Sequence, residues 1–131
     1  YLMEKKIFVK FVSNPENDQI KTIIGIACTV QAINENHQVS VFFAGSATHL
    51  LDKKYIHELD KVMGENSTMI MDFMEIIISK ATVYCSFASV KATLGVSEGD
   101  NALITPDSKI EWSGPPGVID LAVNSDIQLI Y

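Results

Sequence analysis

Short runs of β-branched and aromatic residues alternate with helix-like stretches along this chain, and that alternation constrains the fold more than any other feature. Residues 6–12 (KIFVKFV), 39–44 (VSVFFA), 81–84 (ATVY) and 126–131 (DIQLIY) read as strands, with a further short one at 110–112. Helical stretches fall between them: one ending near Glu35, short ones at 47–51 and 55–63, one ending at Lys80, then 86–94 and 118–124. Strands that alternate with helices form parallel sheets covered on both sides. The expected fold is therefore α/β: a three-layer sandwich whose mostly parallel sheet of about five strands carries helices on both faces. With 131 residues, the chain is expected to form one domain, residues 1–131, around one core.

Two helices carry further information. In the first, which Asn17 or Asp18 can cap, Ile20, Ile23, Ile24, Ala27 and Cys28 follow the i, i+3, i+4, i+7, i+8 spacing of a buried face. Cys28 is accordingly expected to be buried and inert. Asn36 can take the left-handed conformation that ends this helix. In the third, capped by Ser67 or Asn66, Met69, Ile70, Met71, Phe73, Met74, Ile76, Ile77 and Ile78 populate nearly the whole circumference. A helix apolar all round is buried all round. Part of it is expected in a subunit interface, the alternative being cover by loops.

The net charge of −6 argues against a general affinity for nucleic acid or anionic membrane, which needs a basic footprint. Two cysteines make no disulfide framework, and no charged segment followed by an apolar run opens the chain. Met3 is expected to be the natural start, with Tyr1-Leu2 ahead of it. No uncharged apolar stretch approaches the roughly 18 residues of a membrane span. A cytoplasmic location is the expectation. His37, His49 and His57 lack ligand spacing, and the turn after the first strand lacks the glycines of a phosphate loop. Neither a metal nor a cofactor is expected.

Cys85 is the residue with the most chemical potential. It lies where the third strand gives way to a helix that Gly95 closes, at the carboxyl edge of the sheet where α/β folds gather their sites. A thiol in the first helical turn meets unpaired N–H groups and the positive end of the dipole, which favour the reactive thiolate. Ser86, Ser89 and Lys91 are close in sequence and can supply hydrogen bonds or charge. Ser13 and Asn14 follow the first strand and Ser46 the second, so they face the same edge; they serve either as turn and capping residues or as binding groups. Ser46 and His49 with an aspartate also allow a hydrolase reading, without a nucleophile elbow to support it. Gly114-Pro115-Pro116-Gly117 is either a simple bend or a rigid rim to the cleft, and Trp112 either covers an apolar pocket or packs.

The segment from Asn36 to Gly45 (NHQVSVFFAG), the run Ala81-Thr82-Val83-Tyr84-Cys85 with Ser89, Lys91, Ala92 and Gly95, and the closing residues 125–131 (SDIQLIY) together resemble the DsrE/DsrF-like sulfur-relay family in kind and order. That resemblance implies a homotrimer or hexamer. It implies a sulfur-transfer or persulfide-carrier role, with Cys85 as the catalytic thiol between sulfur-donor and sulfur-acceptor proteins. The alternative is a non-catalytic oligomeric module of the same fold that binds a small ligand or a protein. Two departures matter. The family commonly spaces its cysteine about eight residues before the glycine that ends the helix, whereas Cys85 and Gly95 are ten apart. Ala88 stands where some relatives carry a second cysteine.

Overall fold

A computed structural model describes residues 3–131; Tyr1 and Leu2 lie outside the described residues. Five strands, β1 (Lys6–Phe11), β2 (Gln38–Phe43), β3 (Thr82–Ser86), β4 (Ile110–Ser113) and β5 (Ile127–Ile130), pair in the order β4-β3-β2-β1-β5, and every pair is parallel. The helices are α1 (Gln19–Asn34), α2 (Lys53–Asp60), α3 (Met69–Lys80), α4 (Phe87–Leu94) and α5 (Pro115–Val123), with a 3-10 turn at Gly45–Leu51. This is the three-layer α/β arrangement expected. Among the described residues no helix is long and apolar enough to cross a membrane.

Side chains alternate across a sheet, and here the two faces differ in kind. One face carries Val9, Phe11, Val41, Phe43, Val83 and Cys85, all buried under α1 and α3. The other carries Phe8 and Phe42, both buried, among the polar Lys10, Ser40, Thr82 and Tyr84. Among the described residues only α5 covers it, placed there by Gly117, where a Cβ would run into Ser113 and lie 3.5 Å from the Phe42 ring. Forward crossovers from β1 through β4 keep their helices on one side; the single return to β5 crosses on the other, as right-handed connections require.

Helix α1 is turned away from the face its spacing predicts. Thr22, Ile23, Gly25, Ile26, Thr29, Val30, Ala32 and Ile33 are buried, whereas Ile20, Ile24 and Cys28 are exposed. Gly25 sets this rotation. A Cβ there would lie 2.6 Å from Tyr131 Cγ and 2.8 Å from Phe11 Cε1, so only glycine lets the helix approach β1 this closely. Thr22 and Thr29 become acceptable in the core by donating to the carbonyls of Asp18 (3.3 Å) and Gly25 (2.7 Å). Asp18 caps the helix through Lys21 N, and Asn36 ends it at φ 66°.

Helix α3 finds much of its cover within the chain. Ile70, Met74 and Ile77 are fully buried, and Met69, Met71, Phe73 and Ile76 pack half-buried against the core beneath α1 and α2. Its cap is neither Ser67 nor Asn66 alone. The buried Asp60 carboxylate, at the end of α2, accepts from Ile70 N (2.6 Å), Met71 N (3.1 Å) and Ser67 Oγ (3.3 Å). A buried charge is tolerated because helix amides and a hydroxyl replace its water. Asp60→Ala should cost about 2–3 kcal/mol in urea unfolding, with an unchanged denaturant slope. A loss below about 0.5 kcal/mol would mean that α3 holds without this cap.

Candidate functional site

At the carboxyl edge of the sheet, strand β3 continues through Cys85 and Ser86, and α4 begins only at Phe87. Cys85 is therefore a strand residue paired with Phe43 and Trp112, not a residue of the first helical turn. Its side chain enters the face covered by α1, α3 and α4 and is 0% exposed. The thiol donates only a long contact, 3.6 Å, to the carbonyl of Ser86. Burial, with a smaller contribution from the Asp107 carboxylate, pushes it up from 9.0 to about 12. The expectation of an open, stabilised thiolate is thus corrected: the helix N–H groups lie beyond it and the surroundings are hydrocarbon.

The ten-residue spacing is also explained. α4 is a regular helix of eight residues closed by Gly95 at φ 70°, with no inserted loop. The residue eight before Gly95 is Phe87, which is 55% exposed. An aromatic ring stands at the helix mouth, and the cysteine lies two residues back within the strand.

On the opposite face from Cys85 is an open cleft of about 390 Å³, between the ends of β1 and β2 and the starts of α4 and α5. Val12, Phe42, Val118 and Ile119 form its apolar wall, with Ala44, Gly45, Gly114 and Pro115 at its rim and Ser86 and Ser89 at the mouth of α4. Ser86 caps α4 by accepting from Ser89 N (3.1 Å). The first two residues of α5 are prolines, placed where a helix needs no N–H, so this end offers no amides to an anion. Among the described residues no ionisable side chain lines the cleft. Its volume lies within the roughly 300–1,000 Å³ of small-molecule sites. It can hold an apolar body by shape and meet one polar group at the serine hydroxyls.

Of the residues expected at the site, the cleft gathers Ser86 and Ser89; the expected bend at 114–117 is instead the start of α5, with Gly114 and Pro115 at the rim. Lys91 lines a separate open depression of about 440 Å³ with Phe87, Ala88, Ser97 and Glu98. Ser13 accepts from Lys21 Nζ (3.0 Å) and Asn14 from Glu16 N (3.1 Å), so both belong to the turn before α1. Ser46 lies half-buried in the 3-10 turn, outside the cleft lining, and His49 is tilted against Tyr55 with ring centroids 5.4 Å apart. Trp112 packs against the core and donates to the Asp107 carbonyl at 3.3 Å. Val12, Phe42, Val118 and Ile119 escaped sequence reasoning because apolar residues at strand and helix ends look like ordinary core.

Cys28, expected to be inert, is the accessible thiol. Native alkylation with iodoacetamide at pH 8 should label Cys28 and spare Cys85. A thiol at about 12 holds only about one part in ten thousand as thiolate there. The raised value keeps the proton on in the folded state, so labelling of Cys85 should grow only towards that pH or on unfolding. Stoichiometric labelling of native Cys85 at pH 8 would contradict its burial.

No family model and no curated protein matches the sequence. The fold does match a solved one: the crystal structure of the ychN protein from E. coli, with a TM-score of 0.69 and 12% identity. The match covers 98% of this chain and 100% of that one. This likeness shows the fold alone, and the fold is the DsrE/DsrF-like α/β arrangement that the motifs resemble.

Proposed function

We propose that this protein is a non-catalytic, homo-oligomeric binding module whose carboxyl-edge cleft takes a small ligand with an apolar body and one polar end. The observation that carries this reading is the placement of Cys85 and the cleft on opposite faces of one sheet, with no acid, base or nucleophile in the cleft lining beyond serine hydroxyls. A persulfide relay through Cys85 would require β3 to leave the sheet for the thiol to meet a donor. The third reading, hydrolysis by Ser46 and His49, has no support from their positions outside the cleft.

The assembly, a homotrimer or hexamer, forms in this reading through the thinly covered face and not through α3. No residue of α5 is buried. Ile119 is 62% and Val123 73% exposed, and Ile119 and Val12 extend the apolar surface into the cleft. Apolar surface of this kind marks association sites.

An apolar fluorescent probe should bind the native protein. Ala44→Leu, which fills the cleft, should weaken binding at least about tenfold without lowering the melting temperature. Cys85→Ala should leave binding intact. Equal binding by Ala44→Leu would remove the cleft from the reading. Incubation with a polysulfide donor should leave Cys85 unmodified; a roughly 32 Da adduct on native Cys85 would restore the sulfur-carrier reading. In sedimentation, Ile119→Asp combined with Val123→Asp should lower the assembled mass, and an unchanged mass would exclude the α5 face as the interface.

A further inference from the structure

Strand β5 ends the sheet beside β1, and among the described residues nothing pairs with its far side. Which backbone groups face outward follows from the ladder. Tyr131 N donates to the Lys10 carbonyl (2.9 Å), and Val12 N donates to the Tyr131 carbonyl (2.8 Å). Inward-bonding residues alternate along a strand. Ile127 and Leu129 therefore also turn towards β1, while Gln128 and Ile130 turn both amide and carbonyl to the open side.

Open edges template pairing with another strand, and proteins normally blunt them with charge, proline, a bulge or cover. The segment Ile127-Gln128-Leu129-Ile130-Tyr131 has neither a charged residue nor a proline. Ile127 is 41% and Ile130 57% exposed. The opposite edge, β4, is guarded by Glu111 and by Lys109 just before it.

We propose that β5 pairs antiparallel with β5 of a second copy, about a two-fold axis at Leu129, so that two five-stranded sheets become one continuous sheet. Two features favour a second copy over a foreign strand. The first is reciprocity. The outward residues are Gln128 and Ile130, one on each side of Leu129, so the two-fold sets Gln128 of each copy opposite Ile130 of the other. Each such pair exchanges both of its hydrogen bonds, as directly opposed antiparallel residues do. The second is charge. Copies of a chain with net charge −6 repel through most of their surfaces. Along this edge Leu129 meets Leu129, Ile127 meets Tyr131, and Gln128 meets Ile130, with no like charges opposed. This contact does not use α5. If α5 builds a trimer, the two-fold joins two trimers into a hexamer.

The experiment combines hydrogen exchange with light-scattering mass on the full chain. In the native protein the Gln128 and Ile130 amides should be protected, and their exchange should slow at least about tenfold as concentration rises through the association range. Ile130→Pro removes an N–H that bonds nothing within its own sheet. It should halve the assembled mass while the melting temperature of the remaining species and probe binding in the cleft stay near native. Ile130→Lys should do the same by opposing charges across the axis. Exchange of both amides at the unprotected rate at all concentrations would overturn the proposal, as would native mass in both variants. Protection that arises only on adding a peptide of different sequence would place another strand on this edge and equally overturn self-pairing. Loss of association in the α5 variants with amide protection retained would count against the trimer face alone.

Discussion

A parallel sheet must be covered on both faces, because its strands are joined by crossovers and its backbone tolerates little direct exposure. This chain meets that requirement unequally. Four strands are laid down in one direction, and each forward crossover returns on the same side, so α1, α2, α3 and α4 build a thick layer. The other side receives only α5, the one helix of the return. Residue chemistry agrees with this path: the thickly covered face is hydrocarbon throughout, whereas the other mixes two buried phenylalanines with Lys10, Ser40, Thr82 and Tyr84.

The position of the thiol is a consequence of the same alternation. In a strand, moving by one residue reverses the face. Ser86 falls on the cleft side, so Cys85 must fall in the core. It belongs to the hydrophobic core as a small hydrophobe, and burial makes ionisation costly. The residue that does occupy the helix mouth, Phe87, is aromatic and lies in van der Waals reach of Gly114 across the rim. Apolar and aromatic side chains and two serine hydroxyls stand at the place where the fold presents side chains.

Strand identity, order of elements and the α/β architecture were legible because local composition and tertiary role agree there. The runs at β1 and β2 are β-branched or aromatic and also buried. Helix α1 was legible as a helix but not in its rotation. Its apolar residues surround much of the circumference, and the deciding signal was Gly25, a missing side chain that spacing rules do not count. The buried threonines disguised the true inner face, since their hydroxyls are satisfied by the preceding turn. For α3 the apolar pattern runs nearly all round, but only Ile70, Met74 and Ile77 are fully buried, and the cover within the chain comes from α1 and α2. At the site, the boundary between β3 and α4 decided everything. A two-residue error there, within the ordinary uncertainty of element ends, moved a cysteine from the core to a helix mouth.

In the proposed reading, the incompletely covered face links binding to assembly. Ile119 lines the cleft and also belongs to the exposed apolar surface of α5. A second copy seated on α5 necessarily alters the cleft wall, either by closing it over a ligand or by competing for Ile119. In both cases the free energies are coupled: whatever factor assembly applies to ligand affinity, the ligand applies to assembly. The edge of β5 stands outside that coupling, because its outward hydrogen-bonding groups, on Gln128 and Ile130, lie in the plane of the sheet and belong to no residue of the cleft lining. A two-fold at the edge and an apolar contact through α5 therefore act as separable interfaces, and only the latter can respond to what the cleft holds.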